Sequence, residues 1–160
     1  MKKAISAIAL ALTVAFLITS VGGGAEGVKG KCAVCGADLQ KYPRTLCRAI
    51  FEDGTEKTYC SLYCLAIGLL KEGKVTEEVE VADYLTGELI PSEKAFFLAG
   101  SDIPSRGPVS IIAFSSTEDL MKYYEKHGGS VLHFCDAYGV ANNHLSEYRE
   151  MLKKEGREIK

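Results

Sequence analysis

Two short cysteine motifs are the most informative part of the chain: Cys32-Ala33-Val34-Cys35-Gly36 and, one hairpin's length further on, Cys60-Ser61-Leu62-Tyr63-Cys64. In the first, which we call the knuckle, the glycine can adopt the left-handed conformation that closes a tight turn around two sulfurs. The second opens an apolar helical stretch, where the helix dipole favours thiolate over thiol. Two thiolate pairs meeting in this way suit a tetrahedral Zn(II) site or a thiolate Cu(I) site. Cys32, Cys35, Cys60 and Cys64 are therefore the predicted metal ligands.

The chain between the two pairs has the pattern of a β-hairpin. Residues 45–51 alternate as a strand, an Asp-Gly turn follows, and residues 55–59 return as a second strand. Ser61 is the expected N-cap of the helix, and Gly73 is its expected end. Knuckle, hairpin and helix in this order predict a treble-clef-like metal-binding half over residues 31–75.

The second half, residues 76–135, repeats the strand-strand-helix order without the cysteine pairs. A helix is expected between a cap at Ser116 or Thr117 and the Gly128-Gly129 pair. Its inward positions are expected to be Leu120, Met121 and Tyr124. The strands are expected at residues 79–84, 95–99, 109–114 and 131–135. The predicted fold class is thus α+β, with two strand-strand-helix halves followed by a loosely held polar tail at residues 136–160. Within the tail, Asn142-Asn143 are a candidate cap for a short helix that ends in Lys153-Lys154-Glu155-Gly156-Arg157.

The start of the chain has the pattern of an export signal. Two lysines precede an uncharged apolar run that ends in small residues, so residues 1–25 are expected to be a signal peptide or an uncleaved N-terminal anchor. The body of the protein is then expected to be periplasmic or otherwise extracytoplasmic. Without residues 1–25, 17 basic residues face 21 acidic ones, a net charge of −4. This charge argues against nucleic acid as a partner, and the membrane is contacted only through an uncleaved leader.

The cysteines leave alternatives open. An exported chain with six cysteines could use them in disulfides, although a Cys-x-x-Cys disulfide closes too small a loop to add much stability. Zn(II) in a closed four-thiolate cage would serve folding, whereas Cu(I) in an accessible site would be cargo, and the sequence does not separate the two. Cys47 lies within a strand and is expected to be a buried, unreactive thiol. His133 and Cys135 would share one strand face, but two side chains are only half of the four ligands of a tetrahedral metal site.

Enzymatic chemistry has no recognisable motif in this chain. A Ser-His-Asp order, a phosphate-binding loop and a Cys-x-x-Cys-His haem site are all missing from the sequence. The acidic residues near the cysteines, Asp38, Glu52 and Asp53, fall in predicted turns, where carboxylates are usually solvated. We therefore expect a protein that is not an enzyme.

Further short motifs occur in a fixed order between residues 31 and 135 and carry a family resemblance. They are the knuckle, Lys41-Tyr42-Pro43, Phe51-Glu52-Asp53-Gly54, Cys60-Ser61, Asp83-Tyr84-Leu85-Thr86-Gly87, Lys94-Ala95-Phe96-Phe97, Gly100-Ser101-Asp102-Ile103 and His127-Gly128-Gly129. In this order they resemble the NosL family. The resemblance implies a periplasmic copper-binding accessory protein that supplies Cu(I) for the assembly of nitrous oxide reductase, a copper-accepting periplasmic enzyme.

Two departures from the family pattern bear on the site. The family's knuckle usually continues Cys-x-x-Cys-Gly-Met, with the methionine a candidate copper ligand, whereas this chain has Ala37 there. The family also tends to carry a lipoprotein cysteine, which this chain lacks. Conversely, Cys60 and Cys64 resemble the second pair of TRASH-type treble-clef metal domains. This resemblance implies that four sulfurs complete the site without the methionine.

Overall fold

A computed structural model describes residues 28–73 and 76–159. The leader predicted at residues 1–25 lies outside these ranges. Within them, no helix is both long enough and apolar enough to cross a bilayer.

Seven strands and four α-helices make up the described part of the chain. In chain order they are β1 (Cys47–Phe51), β2 (Glu56–Tyr59), α1 (Leu62–Glu72), β3 (Thr76–Ala82), β4 (Leu89–Pro91), β5 (Phe96–Ala99), β6 (Ile111–Phe114), α2 (Thr117–His127), β7 (Ser130–Leu132), α3 (Phe134–Asn143) and α4 (Leu145–Lys154). Short 3-10 helices lie at Leu39–Lys41 and Ser92–Lys94. The protein is α+β, as the sequence predicts.

The first sheet has the strand order β2-β1-β3-β4, and every pair in it is antiparallel. Its hairpin is the predicted one, with Gly54 at φ +76° in the turn. Helix α1 follows it, capped by Ser61, and ends at Gly73 with φ +60°, again as predicted. Because β3 pairs with β1, the sheet continues across the predicted boundary between residues 75 and 76. The predicted division of the chain into one half at residues 31–75 and another at residues 76–135 stays a prediction.

The second sheet has the strand order β6-β5-β7, also antiparallel. Strands β5 and β6 are followed by α2, so the order strand-strand-helix occurs twice in the fold. Leu120 of α2 is buried against this sheet, whereas Met121 and Tyr124 are 42% and 39% exposed. The prediction that Met121 and Tyr124 are buried is wrong. Tyr123 takes the inward position instead, and its ring centroid lies 5.1 Å from that of Phe114.

The chain after residue 132 differs from its prediction. Strand β7 ends at Leu132, and Cys135 lies in the first turn of α3, so His133 and Cys135 do not share a strand face. The short helix predicted in the tail is α4, although its cap is His144, whereas α3 was not predicted. The tail is not loosely held, because four of its described side chains are buried. They are Ala137, Ala141, Tyr148 and Leu152, each fully buried in the same core as α1. Both helices contact α1, and α4 places Tyr148 against the site described next.

Candidate metal centre

Backbone hydrogen bonds close the knuckle. The N–H of Cys32 donates to the carbonyl of Ala37 at 2.7 Å, and the N–H of Gly36 donates to the carbonyl of Cys32 at 3.0 Å. Gly36 has φ +65°, the left-handed conformation that glycine adopts without steric cost. The N–H of Ala33 donates to the carbonyl of Thr58 in β2 at 3.0 Å, which fixes the knuckle to the hairpin.

The second cysteine pair is held by the junction of β2 and α1. Cys60 follows β2 directly, and its carbonyl accepts a hydrogen bond from Thr45 Oγ1 at 2.8 Å. Ser61 caps α1, since its Oγ accepts the N–H of Cys64 at 3.3 Å. This cap fixes the first turn of the helix, and with it the position of the Cys64 sulfur.

The four predicted sulfurs form one cluster. All lie within 4.8 Å of one another. The sulfur of Cys60 is 3.5 Å from that of Cys35 and 3.7 Å from that of Cys64. A tetrahedral ion with metal–sulfur bonds of ~2.3 Å holds its sulfurs about 3.8 Å apart, so the spacing fits such an ion with small adjustments. The predicted clustering of the four sulfurs is confirmed, and their binding of a metal stays a prediction.

The cluster is buried, and its charge is unevenly distributed. Cys60 and Cys64 are 0% exposed, and Cys35, the most exposed of the four, reaches 5%. Hydrogen bonds from the other three thiols hold the pKa of Cys32 far below its ordinary value. Cys32 raises the pKa of Cys35, but hydrogen bonds from Cys60 and Cys64 outweigh it and lower that pKa to about 6. In the metal-free protein, the negative charge of the cluster therefore lies on the two cysteines of the knuckle.

Cys60 and Cys64 behave in the opposite way. Their hydrogen bonds with Cys32 and Cys35, together with burial, raise the pKa of both thiols. These shifts oppose the predicted effect of the helix dipole on this pair, which stays a prediction. Hydrogen bonding to the knuckle sulfurs and the loss of solvent both favour the protonated thiols of Cys60 and Cys64. Metal binding must therefore release protons from the helix pair.

Tyr148 of α4 is a residue of the site that sequence reasoning missed. Its hydroxyl lies 3.2 Å from the Cys64 sulfur, 3.9 Å from the Cys60 sulfur and 3.3 Å from Ser61 Oγ. Burial raises the pKa of the phenol, which therefore stays protonated and able to donate. A signal was present in the sequence, because Leu145, Tyr148 and Leu152 are spaced as one face of a helix.

The remaining two cysteines lie outside the cluster. Cys47 is buried in β1, where burial raises its pKa and its sulfur is 3.8 Å from the carbonyl of Thr45. It is the buried thiol that the sequence predicts. Cys135 is exposed. All six cysteines are free in the structure.

Fold and cluster together define a class: an α+β protein in which a knuckle and a helix start bring four buried thiols to metal-ligand spacing. The NosL family model matches residues 27–138, and the chain belongs to the NosL family. Among solved structures, the crystal structure of the copper chaperone NosL from Shewanella denitrificans is similar, with a TM-score of 0.56 and 24% sequence identity. The match covers 65% of this chain and 86% of that one. A comparison with curated proteins found no match.

Proposed function

We propose that this chain is an extracytoplasmic copper-binding accessory protein, a Cu(I) chaperone and not an enzyme. Its cargo site is the cluster of Cys32, Cys35, Cys60 and Cys64. The recipient is a copper-accepting periplasmic enzyme such as nitrous oxide reductase, as the family resemblance implies. The observation that carries the proposal is the set of four free, buried sulfurs within 4.8 Å of one another in a chain of the NosL family.

The chemistry of the donors supports Cu(I). Thiolates are soft ligands, and Cu(I) is satisfied by two or three of them. A cluster of four therefore has one or two sulfurs more than the ion needs. Cu(I) can then exchange one sulfur for a recipient's ligand while the others still hold it, which a chaperone requires.

Zn(II) is the second candidate, favoured by the burial and spacing of the sulfurs. Cys60 and Cys64 have no exposed surface, and the spacing is close to that of a tetrahedral four-thiolate cage. In that case the metal serves folding, and chelation should unfold the protein. A disulfide-linked protein, the third alternative, gains no support from six free cysteines.

Cu(I) competition on the anaerobically purified, reduced protein tests the proposal. Wild-type protein should take Cu(I) from a chromogenic Cu(I) chelator, and Cys32→Ser or Cys64→Ser should each weaken binding by about tenfold or more, since each removes a ligand. Cys135→Ser is the matched control: the same change at an exposed cysteine outside the cluster should leave the affinity unchanged.

Equal Cu(I) affinity in wild type and in both cluster variants would remove the cluster from the mechanism. The metal content of the protein as purified separates the two metals. A protein that holds Zn(II), unfolds on chelation and does not exchange Zn(II) for Cu(I) would establish the structural alternative instead.

A further inference from the structure

Helix α4 brings a phenol to the sulfur cluster from the far end of the chain. Tyr148 is 0% exposed, and its hydroxyl is 3.2 Å from the Cys64 sulfur. It lies beyond residue 138, where the match to the family ends. The contact is therefore a feature of this chain outside the family's matched region.

Contacts with three other parts of the molecule hold α4 in place. The ring of Tyr148 stacks on that of Tyr63 in α1, with centroids 4.8 Å apart and planes 25° apart. Leu152, one turn further along, is fully buried in the core. Beyond the helix end, Glu155 accepts two hydrogen bonds of 2.7 Å from Arg106, whose side chain is only 9% exposed.

A single non-helical residue separates α4 from α3. His144 lies between the two helices with φ −106° and ψ 18°, outside helical geometry, and it interrupts what would otherwise be one continuous helix. Hinges in proteins are formed by a few residues at the ends of elements, whose dihedral angles absorb the movement. The stack, the buried leucine and the bidentate ion pair are then what keep α4 docked.

We propose that Tyr148 is a fifth, positioning residue of the cysteine site, and that α4 must undock before Cys60 and Cys64 can exchange metal with a partner. The proposal rests on the proposed function, since it deepens the same site. When Cys64 is a thiolate, the phenol O–H donates a charge-assisted hydrogen bond to its sulfur. While α4 is docked, these two sulfurs have no exposed surface for a recipient's ligand to approach. Undocking removes the donor and withdraws the phenol that lies against both sulfurs.

Co(II) substitution reports the hydrogen bond directly. Donation to a thiolate lowers the energy of its lone-pair electrons, so losing the donor should move the sulfur-to-Co(II) charge-transfer band to longer wavelength. Tyr148→Phe removes only the hydroxyl and keeps the ring in its stack. Tyr63→Phe is the matched control, because the hydroxyl of Tyr63 contacts the backbone of Val109, at 2.9 Å from its carbonyl, and no sulfur.

A red shift in Tyr148→Phe with an unchanged band in Tyr63→Phe is the expected result. An unchanged band in both variants overturns the hydrogen bond. Equal shifts in both overturn it too, since they would reflect the disturbed stack. The two proposals can fail separately. If the wild-type protein binds Co(II) but takes up no Cu(I), and the band still shifts in Tyr148→Phe alone, the result contradicts the proposed copper role and supports the hydrogen bond from Tyr148.

Alkylation of the reduced, metal-free protein tests the docking of α4 without any metal. Glu155→Gln weakens the pair with Arg106, so iodoacetamide should modify Cys60 and Cys64 about two- to fivefold faster, as expected for the loss of one ion pair. Glu150→Gln is the control, because Glu150 pairs with Lys153 within α4 at 2.6 Å and forms no ion pair with another element among residues 28–73 and 76–159. Cys135, exposed in every variant, is the internal reference in the peptide map.

Faster labelling of both cysteines in Glu155→Gln alone supports undocking as the route to the site. Identical rates in wild type, Glu155→Gln and Glu150→Gln would show that the sulfurs are reached by another route, and would overturn the role of α4. Because Glu155 lies outside the core, this measurement does not depend on whether the tyrosine variant folds.

Discussion

Two glycines in helices illustrate how a single Cβ decides packing in this protein. Gly68 lies inside α1, where an added Cβ would be 2.4 Å from Cε1 of the fully buried Tyr59. Gly139 lies inside α3, where a Cβ would have no heavy atom within 4 Å. Gly68 therefore lets the hairpin pack closely on the helix that carries Cys64. Nothing packed against Gly139 requires a glycine there.

Alanine at these two positions should therefore act in opposite directions. Gly68→Ala should lower the free energy of unfolding by about 1–3 kcal/mol, because overpacking against Tyr59 outweighs the gain in helix propensity. Gly139→Ala should raise it by up to about 1 kcal/mol, since the propensity term then acts alone. Urea unfolding of both variants measures the two changes. A stabilised Gly68→Ala protein would mean that the ring of Tyr59 can move without cost.

The sequence identified the four sulfurs, but it did not identify the phenol beside them. Each cysteine pair is local, so its spacing alone places two sulfurs together, and one hairpin joins the pairs. Tyr148 is 84 residues from Cys64, and only the packing of α4 on α1 brings the two side chains together. The distribution of charge was likewise outside the reach of the sequence, because it depends on burial and on the mutual hydrogen bonds of the four thiols.

At the scale of elements, the knuckle offers a test of the family's methionine. Ala37→Met should make Cu(I) affinity less sensitive to acid, because a thioether binds without losing a proton, whereas each thiol must lose one. Ala37 is 0% exposed, so the larger side chain should also lower the free energy of unfolding by about 1–3 kcal/mol. The measurements are Cu(I) competition at two pH values and urea unfolding of the metal-free protein.

Ala33→Met is the control for this prediction, since it makes the same change at an exposed position of the knuckle. It should alter neither stability nor the dependence of affinity on pH. If Ala37→Met shows the same pH dependence as wild type, the side chain at position 37 faces away from the metal, and the family's methionine has no counterpart in this site.

The elements that the sequence predicted well are those with strong local signals at both ends. The hairpin has its Asp-Gly turn, and α1 has a serine cap and a terminal glycine, so their bounds were predicted within two residues. The end of β7 has no such signal, and His133 caps α3 without a side-chain hydrogen bond. The sequence predicts a short helix where α4 lies, but it does not predict α3. The docking of both helices was missed because their polar composition concealed a narrow apolar face that packs on α1.

For the whole molecule, Asp83 is a link between the two sheets. It is 2% exposed and follows β3 of the first sheet, where it forms a parallel bridge with Ala113 of β6. Its carboxylate accepts the N–H of Ser115 at 2.7 Å and the N–H groups of Leu85 and Thr86 at 2.9 Å. One side chain thus ties the sheet that carries the cysteines to the sheet that carries α2.

Acid should weaken this link at a pH set by the Asp83 carboxyl. Burial raises its pKa, but the N–H donors from Ser115, Thr86 and Leu85 outweigh burial and hold the pKa below its ordinary value. The unfolded chain therefore binds the proton first as pH falls, so the contribution to stability is complete above the unfolded pKa of about 3.9 and is lost below it.

Asp83→Asn should lower the free energy of unfolding by about 1–3 kcal/mol at pH 7, because amide hydrogens then face backbone donors. Urea unfolding from pH 7 to pH 3 should show this difference shrinking below pH ~4. Asp38→Asn, at an exposed carboxylate with one N–H partner, should give a small change throughout. A constant difference between wild type and Asp83→Asn would show that the carboxylate's charge does not hold the sheets together.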